Sequence, residues 1–195
     1  VMYDCSTDSY EENVRKVKEM ADIAHSYGAT IEGELGHVGD NEGSAEGSHH
    51  LDDPSKYFTD PKLAKDFVDK TGVDALAIAV GNPNAVKSIV EKINNTHVSF
   101  PNIIHPTTKY ADDKTLFIGK GNIIQGDCFF SCDVKIGDFN VMNGSVIFGH
   151  DAIVGSYNTF MPAVRISGEV KIGDGNFFGI ASIILQQIKI GNNVR

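Results

Sequence analysis

The sequence predicts two fold classes in one chain: an α/β segment, then an all-β solenoid of stacked six-residue repeats. Three observations carry this. Every sixth residue from Ile118 to Ile190 is apolar, thirteen positions in succession, in a chain that is 41% apolar. Chance would give that run on the order of once in a hundred thousand trials. A second period of eighteen lies on the first: Asn122, Asn140, Asn158 and Asn176, and Gly119, Gly137, Gly155, Gly173 and Gly191. Ahead of residue 82 the rhythm changes to short apolar runs between amphipathic stretches, and the charge balance changes with it. Residues 1–82 carry 17 acidic against 7 basic side chains, and residues 83–195 carry 9 against 10.

Taken in order, Val1–Cys5 reads as a short strand. Ser9 and Glu12 have capping-box spacing and open an amphipathic helix with Val14, Val17, Ala21 and Ala24 on one face, closed by Gly28. Thr30–Leu35 is the next strand, followed by a Gly- and acid-rich loop, His37–Phe58. Pro61 starts a second helix carrying Leu63, Ala64, Phe67 and Val68, which ends at Gly72. Ala75–Val80 is nearly continuous in apolar residues, as a strand buried on both faces would be. The expectation for residues 1–82 is therefore a parallel βαβαβ unit with right-handed crossovers. Pro83 opens a third helix (Val86, Ile89, Val90, Ile93) ending at Asn94 and Asn95, and Val98–His105 is a lead-in strand; residues 83–115 thus link the two parts.

Residues 116–195 form the solenoid. Three hexads make one coil, each hexad giving a short strand and a corner, and successive coils stack as parallel strands about 4.8 Å apart. The repeated apolar position and the residue two before it, such as Cys128, Val134 and Val164, both point inward. The repeated asparagines are expected to hydrogen-bond along a ladder. The glycines are expected to relieve corners that need a positive φ.

Composition narrows the function. The net charge of −9 argues against nucleic acid, which requires a basic surface. No apolar run approaches membrane-spanning length, and no signal peptide is visible. Three cysteines without paired spacing fit a reducing compartment, hence a cytoplasmic expectation. The chain opens with Val in mid-strand and its last coil has no cap, so it reads as a fragment truncated at the C-terminus.

From about residue 77 onward, the runs IIHPTTKYADDK, NGSVIFGHDAIVG and SGEVKIGDGNFFGIAS resemble the left-handed hexapeptide-repeat acyltransferases, specifically the sugar acetyltransferases of sialic-acid and bacillosamine gene clusters. The resemblance implies a left-handed β-helix, acetyl-CoA as co-substrate, a sugar or nucleotide-sugar acceptor, and a homotrimer. It makes His150, in the GHD motif, the general base for a sugar amine or hydroxyl, with Asp151 holding its tautomer. A solvated surface histidine is the alternative. It also makes Gly168 and Gly179 positions whose backbone faces the acyl group and the pantetheine arm, although both could be plain turn glycines. The family's second histidine is Thr159 here, and His105 in HPTT borders the sugar site or is merely structural.

The first 82 residues are similar to a different family, the class II ketose-bisphosphate aldolases. VMYDCS with EENV, IEGELGHVGDNEG, and YFTDPKLAKDFVDKTGVDALAIAVGN carry that similarity. It implies three strands of a (β/α)₈ barrel, Glu34 as a zinc ligand and Glu42 as the mobile-loop acid. Glu32, His37, His49 and His50 lie nearby in sequence. The aldolase zinc histidine that follows GN is Asn84 here, so the two resemblances meet near Gly81–Asn82 in a chimera. Three readings follow: a sugar acetyltransferase behind an aldolase-like segment, a zinc aldolase, and a non-catalytic trimeric scaffold.

Overall fold

The computed structural model describes residues 2–36, 60–93 and 98–195. The chain forms two compact units, residues 1–73 with 89–94, and residues 74–88 with 95–195.

In the first unit, β1 (Met2–Tyr3) and β2 (Glu32–Gly33) pair in parallel, with α1 (Tyr10–Ser26) between them in the chain. The N-cap is half of the expected capping box. Ser9 Oγ accepts the Glu12 N–H at 3.4 Å, while the Glu12 carboxylate turns to Arg15 instead. Val17 is buried, Val14, Ala21 and Ala24 are half-buried on the same face, and Gly28 ends the helix at φ 68°. α2 (Pro61–Thr71) is capped by Asp60 and closed by left-handed Gly72. It buries Ala64, Phe67 and Val68, while Leu63 is exposed. Tyr10 Oη joins the two helices by donating to Asp66 at 2.7 Å, and Lys70 pairs with the same carboxylate.

The third strand differs from expectation. Residues 75–80 form no strand; Ala75 makes one isolated bridge, to Ser99. Ile78 is buried, but Ala75, Ala77 and Ala79 are exposed. One face alone is covered, and the alanines gave an apolar run without apolar bulk. α3 (Pro83–Lys92) follows, with Asn82 Oδ1 accepting the Asn84 N–H at its start and Val86 and Ile89 buried.

The solenoid is a left-handed parallel β-helix of five coils. Its first coil holds β3 (Ile103–Ile104), β4 (Lys109–Tyr110) and β5 (Phe117–Ile118), and the last ends with β17 (Lys189–Ile190). The coil therefore begins at Ile103, ahead of the readable repeat. Eight residues rather than six separate the starts of β4 and β5, so Ile103 faces Ile123 and Lys109 faces Phe129, twenty residues on. From β5 onward every partner is eighteen residues away, as with Phe117 and Lys135.

Inside, the repeated apolar residues and the residues two before them make one core. Cys128, Val134, Val146, Ala152, Val164 and Val170 are fully buried. Phe130 stacks on Phe148 at 5.3 Å and Phe160 on Phe178 at 4.7 Å, with Phe148 edge-on to Phe160 between them. Each such pair contributes about 0.5–1.5 kcal/mol beyond its area. The asparagine ladder forms as expected and begins one coil earlier, at Asn102. Asn140, Asn158 and Asn176 each donate through Nδ2 to the preceding Asn Oδ1 at 3.0 Å, and that same oxygen accepts their backbone N–H.

The glycines do a different job from the one expected. None of the five in the eighteen-residue column has a positive φ. Four of them, Gly119, Gly137, Gly155 and Gly173, are required by close stacking: a Cβ on Gly137 would lie 2.6 Å from Gly155 O, and one on Gly155 2.7 Å from Gly173 O, whereas one on Gly191 would meet nothing within 4 Å. The left-handed corners are three residues past each repeated apolar position; Gly121 and Gly175 hold two of the thirteen, and residues other than glycine hold the other eleven, Asp133, Asp151 and Glu169 included. Each of the eleven costs about 1–2 kcal/mol of backbone energy. The recovery is a hydrogen bond from the corner N–H to the preceding coil, to a carbonyl as from Tyr157 to Asp138 at 2.9 Å, or to a threonine hydroxyl at Asp127 and Asp133.

Candidate active site at a solenoid corner

β10 (Ile147–Phe148) leads into a corner whose first residues are Gly149, His150 and Asp151, before β11 (Ile153–Val154). Phe148 is fully buried, so the strand is anchored and His150 emerges outward two residues later, its side chain 49% exposed. Asp151 has φ 59°, and its N–H donates to Cys132 O in the preceding coil. The turn carries the Asp151 carboxylate back to the ring: His150 Nδ1 lies 2.8 Å from Asp151 Oδ2. A carboxylate only accepts, so in the neutral ring Nδ1 carries the proton and Nε2 is the acceptor. That is the tautomer a general base needs.

The next coil supplies the surroundings. Gly168 lies against the imidazole, and the Glu169 N–H donates to His150 O at 2.8 Å. The Glu169 carboxylate accepts from Gln186 Nε2 (2.9 Å) and Gln187 Nε2 (3.1 Å). Those two amides, with a smaller contribution from His150, hold its carboxyl below the usual carboxylate range. Beside the corner runs an open groove of about 620 Å³, lined by two eighteen-residue columns, Asp133, Asp151, Glu169 and Gln187 in one and Lys135, Ile153, Lys171 and Lys189 in the other.

His150, Asp151 and Gly168 thus come together. Gly179 does not join them: it is exposed at the corner after β15 (Phe177–Phe178), where its carbonyl accepts from Ser182 Oγ at 2.7 Å. Thr159 is buried on another sheet, its Oγ1 donating to Gly81 O at 3.2 Å. His105 closes the first coil's corner through a 2.9 Å contact of Nδ1 with Thr107 Oγ1. Glu169, Gln186 and Gln187 escaped the sequence reading. The eighteen-residue period could have found them, because Asp151, Glu169 and Gln187 share one column, as do His150, Gly168 and Gln186.

In the first unit, Glu34 is half-buried just after β2, and its backbone oxygen accepts from Asn13 Nδ2 at 2.9 Å. Glu42, His37, His49 and His50 lie outside the described residues. Among the described residues no group of three or more His, Cys, Asp and Glu is arranged to hold a metal ion. Among them Glu34 has no co-ligands that fit zinc. No helix among the described residues is long and apolar enough to cross a membrane.

Comparison with known proteins divides along the same lines. The chain is 35% identical over 123 residues to the uncharacterized protein YdjI of Escherichia coli K12, a stretch that is 57% of this chain and 41% of YdjI. The chain thus spans about two-fifths of that relative's length. The fold over 98% of the chain is similar to the acetyltransferase domain of PglB from Neisseria gonorrhoeae FA1090 in complex with acetyl coenzyme A, with a TM-score of 0.62, 16% identity and 84% of that chain covered. It is also similar to a mutant of perosamine N-acetyltransferase from Caulobacter crescentus in complex with CoA and GDP-perosamine (TM-score 0.57, 16% identity, 97% of this chain and 90% of that one). Residues 1–115 match the family of class-II fructose-bisphosphate aldolases, and over that half of its length the chain belongs to this family.

Proposed function

We propose that the solenoid transfers an acetyl group from acetyl-CoA to an amino or hydroxy group of a sugar or nucleotide sugar. The observation that carries this reading is the outward His150 with Asp151 Oδ2 on its Nδ1, 2.8 Å away, and its Nε2 left to accept a proton. The fold shared with structures holding acetyl coenzyme A, or CoA and GDP-perosamine, supports the same substrate class. In the reaction, Nε2 takes the proton of the acceptor amine or hydroxyl as its nitrogen or oxygen bonds to the acetyl carbonyl carbon. The carbon–sulfur bond then breaks, and the imidazolium returns the proton to the CoA thiolate. Asp151 stabilises that imidazolium. The Gly168 amide is the proposed donor to the developing oxyanion, and Gly179 serves the pantetheine arm. Lys171 and Lys189, which line the groove, suit the phosphates of either substrate.

The working state proposed is a cytoplasmic homotrimer, because an exposed corner site is completed when a neighbouring prism walls it, and a closed ring satisfies every copy's interface. The test is thiol release from acetyl-CoA with a panel of amino- and hydroxy-sugar nucleotides, alongside light scattering. His150→Ala should cut the rate by about 10²–10⁴ without loss of fold. An unchanged rate removes His150 from the mechanism, and a monomer at micromolar concentration counts against the trimer.

The second reading, a zinc-dependent ketose-bisphosphate aldolase with Glu34 as ligand and Glu42 as acid, is favoured by the family match over residues 1–115. It requires co-ligands that the described residues do not supply.

A further inference from the structure

We infer that Gly168 is a positioning residue for His150, its missing Cβ forming the seat of the imidazole ring. A Cβ built on Gly168 would fall 2.5 Å from His150 Nε2, 2.7 Å from Cε1 and 2.9 Å from Cδ2. These are overlaps across the whole reactive edge of the ring. The backbone of Gly168 is not left-handed, so space rather than φ keeps a side chain out. The two main chains are also pinned around this point. Gly149 N–H donates to Ile166 O at 2.7 Å, and Glu169 N–H to His150 O at 2.8 Å. A Cβ on Gly149 would itself lie 2.6 Å from Gly168 N. Neither backbone can retreat, whereas the imidazole ends an exposed side chain and can swing. A methyl group at 168 therefore displaces the ring, breaks the Nδ1–H bond to Asp151 and moves Nε2 from its place. This role is separate from any amide contact to an acyl oxygen, because alanine keeps the N–H.

The functional consequence rests on the acetyl-transfer reading; the seat itself does not, and the experiment separates them. The full chain, labelled with ¹⁵N-histidine, is compared with Gly168→Ala and with Gly144→Ala, where a Cβ meets nothing closer than 3.6 Å. Expected are an Asp151-bonded Nδ1–H resonance in the parent and in G144A, its loss in G168A, and melting temperatures within a few degrees of one another. With a sugar acceptor, G168A should lose about 10²-fold in kcat with little change in KM for acetyl-CoA, the scale of an ångström-sized misplacement. An unaltered resonance in G168A overturns the seat. Should G168A fail to fold, the H150A/G168A double variant decides: recovery on removing the ring supports the seat, and continued failure overturns it. A lost resonance in a protein that transfers no acetyl group leaves the seat standing and sinks the acetyl-transfer reading instead.

Discussion

Replacing Asn140 by alanine should be among the most damaging single changes in the solenoid. Its side chain is fully buried and makes four hydrogen bonds. Nδ2 donates to Asn122 Oδ1 and to Gly155 O, each at 3.0 Å; Oδ1 accepts from Asn158 N at 2.9 Å and Asn158 Nδ2 at 3.0 Å. At about 1 kcal/mol net per bond the loss is about 4 kcal/mol. Asn122 Oδ1 keeps the Asn140 backbone N–H, but the Asn158 N–H is stranded in the core, which adds about 1–3 kcal/mol. Asn176→Ala is the internal control. Asn176 donates to Asn158 Oδ1 at 3.0 Å and accepts from Val194 N at 2.8 Å, so its loss should cost about half as much. Urea unfolding of the full chain, followed by far-ultraviolet circular dichroism, reads both. With a slope of about 2 kcal/mol per molar, Asn140→Ala should lower the midpoint by about 2 M or more and Asn176→Ala by about 1 M. A cost below 1 kcal/mol at Asn140, or equal costs at the two positions, would refute the ladder as a source of stability.

Two further outcomes are expected. Cys128 is fully buried, and burial pushes its thiol up, whereas Cys132 is half-buried at the corner one coil before His150. Iodoacetamide at about pH 8 should therefore label Cys132 in the folded protein and reach Cys128 only on unfolding, as read by peptide mass spectrometry; equal rates would contradict the buried position. The chain should release no triose phosphate from fructose or tagatose bisphosphate, with or without added zinc. Metal-dependent cleavage that disappears in Glu34→Ala would overturn this and bring the aldolase reading forward.

The periodic core was fully legible in the sequence. Side chains that recur every six residues must share one environment, so Phe130, Phe148 and Phe160 could be placed inside without coordinates, and Asn140 and Asn158 in one ladder. His150 was legible by the same counting: two residues past a buried phenylalanine, in a corner, it has to face outward. Adjacency in the chain likewise put Asp151 within reach of its ring. Contacts that depend on how closely coils approach were beyond the sequence. Gly137 and Gly155 look like turn glycines until the stacking distance excludes a Cβ, while the real left-handed corners are held by residues such as Phe139 and Tyr157, whose type does not announce it. The start of the first coil was hidden because the longer β4–β5 connection breaks the count of six. The third strand was misread because composition measures how apolar a run is, whereas a ladder needs a neighbour, and among the described residues Ala75 bridges Ser99 alone. The eighteen-residue period puts Gly168 in one column with His150, but that its Cβ would overlap the ring belongs to the same class. A six-residue pattern fixes which side chains turn inward or outward, but the rise and rotation from one coil to the next decide which of the outward ones touch.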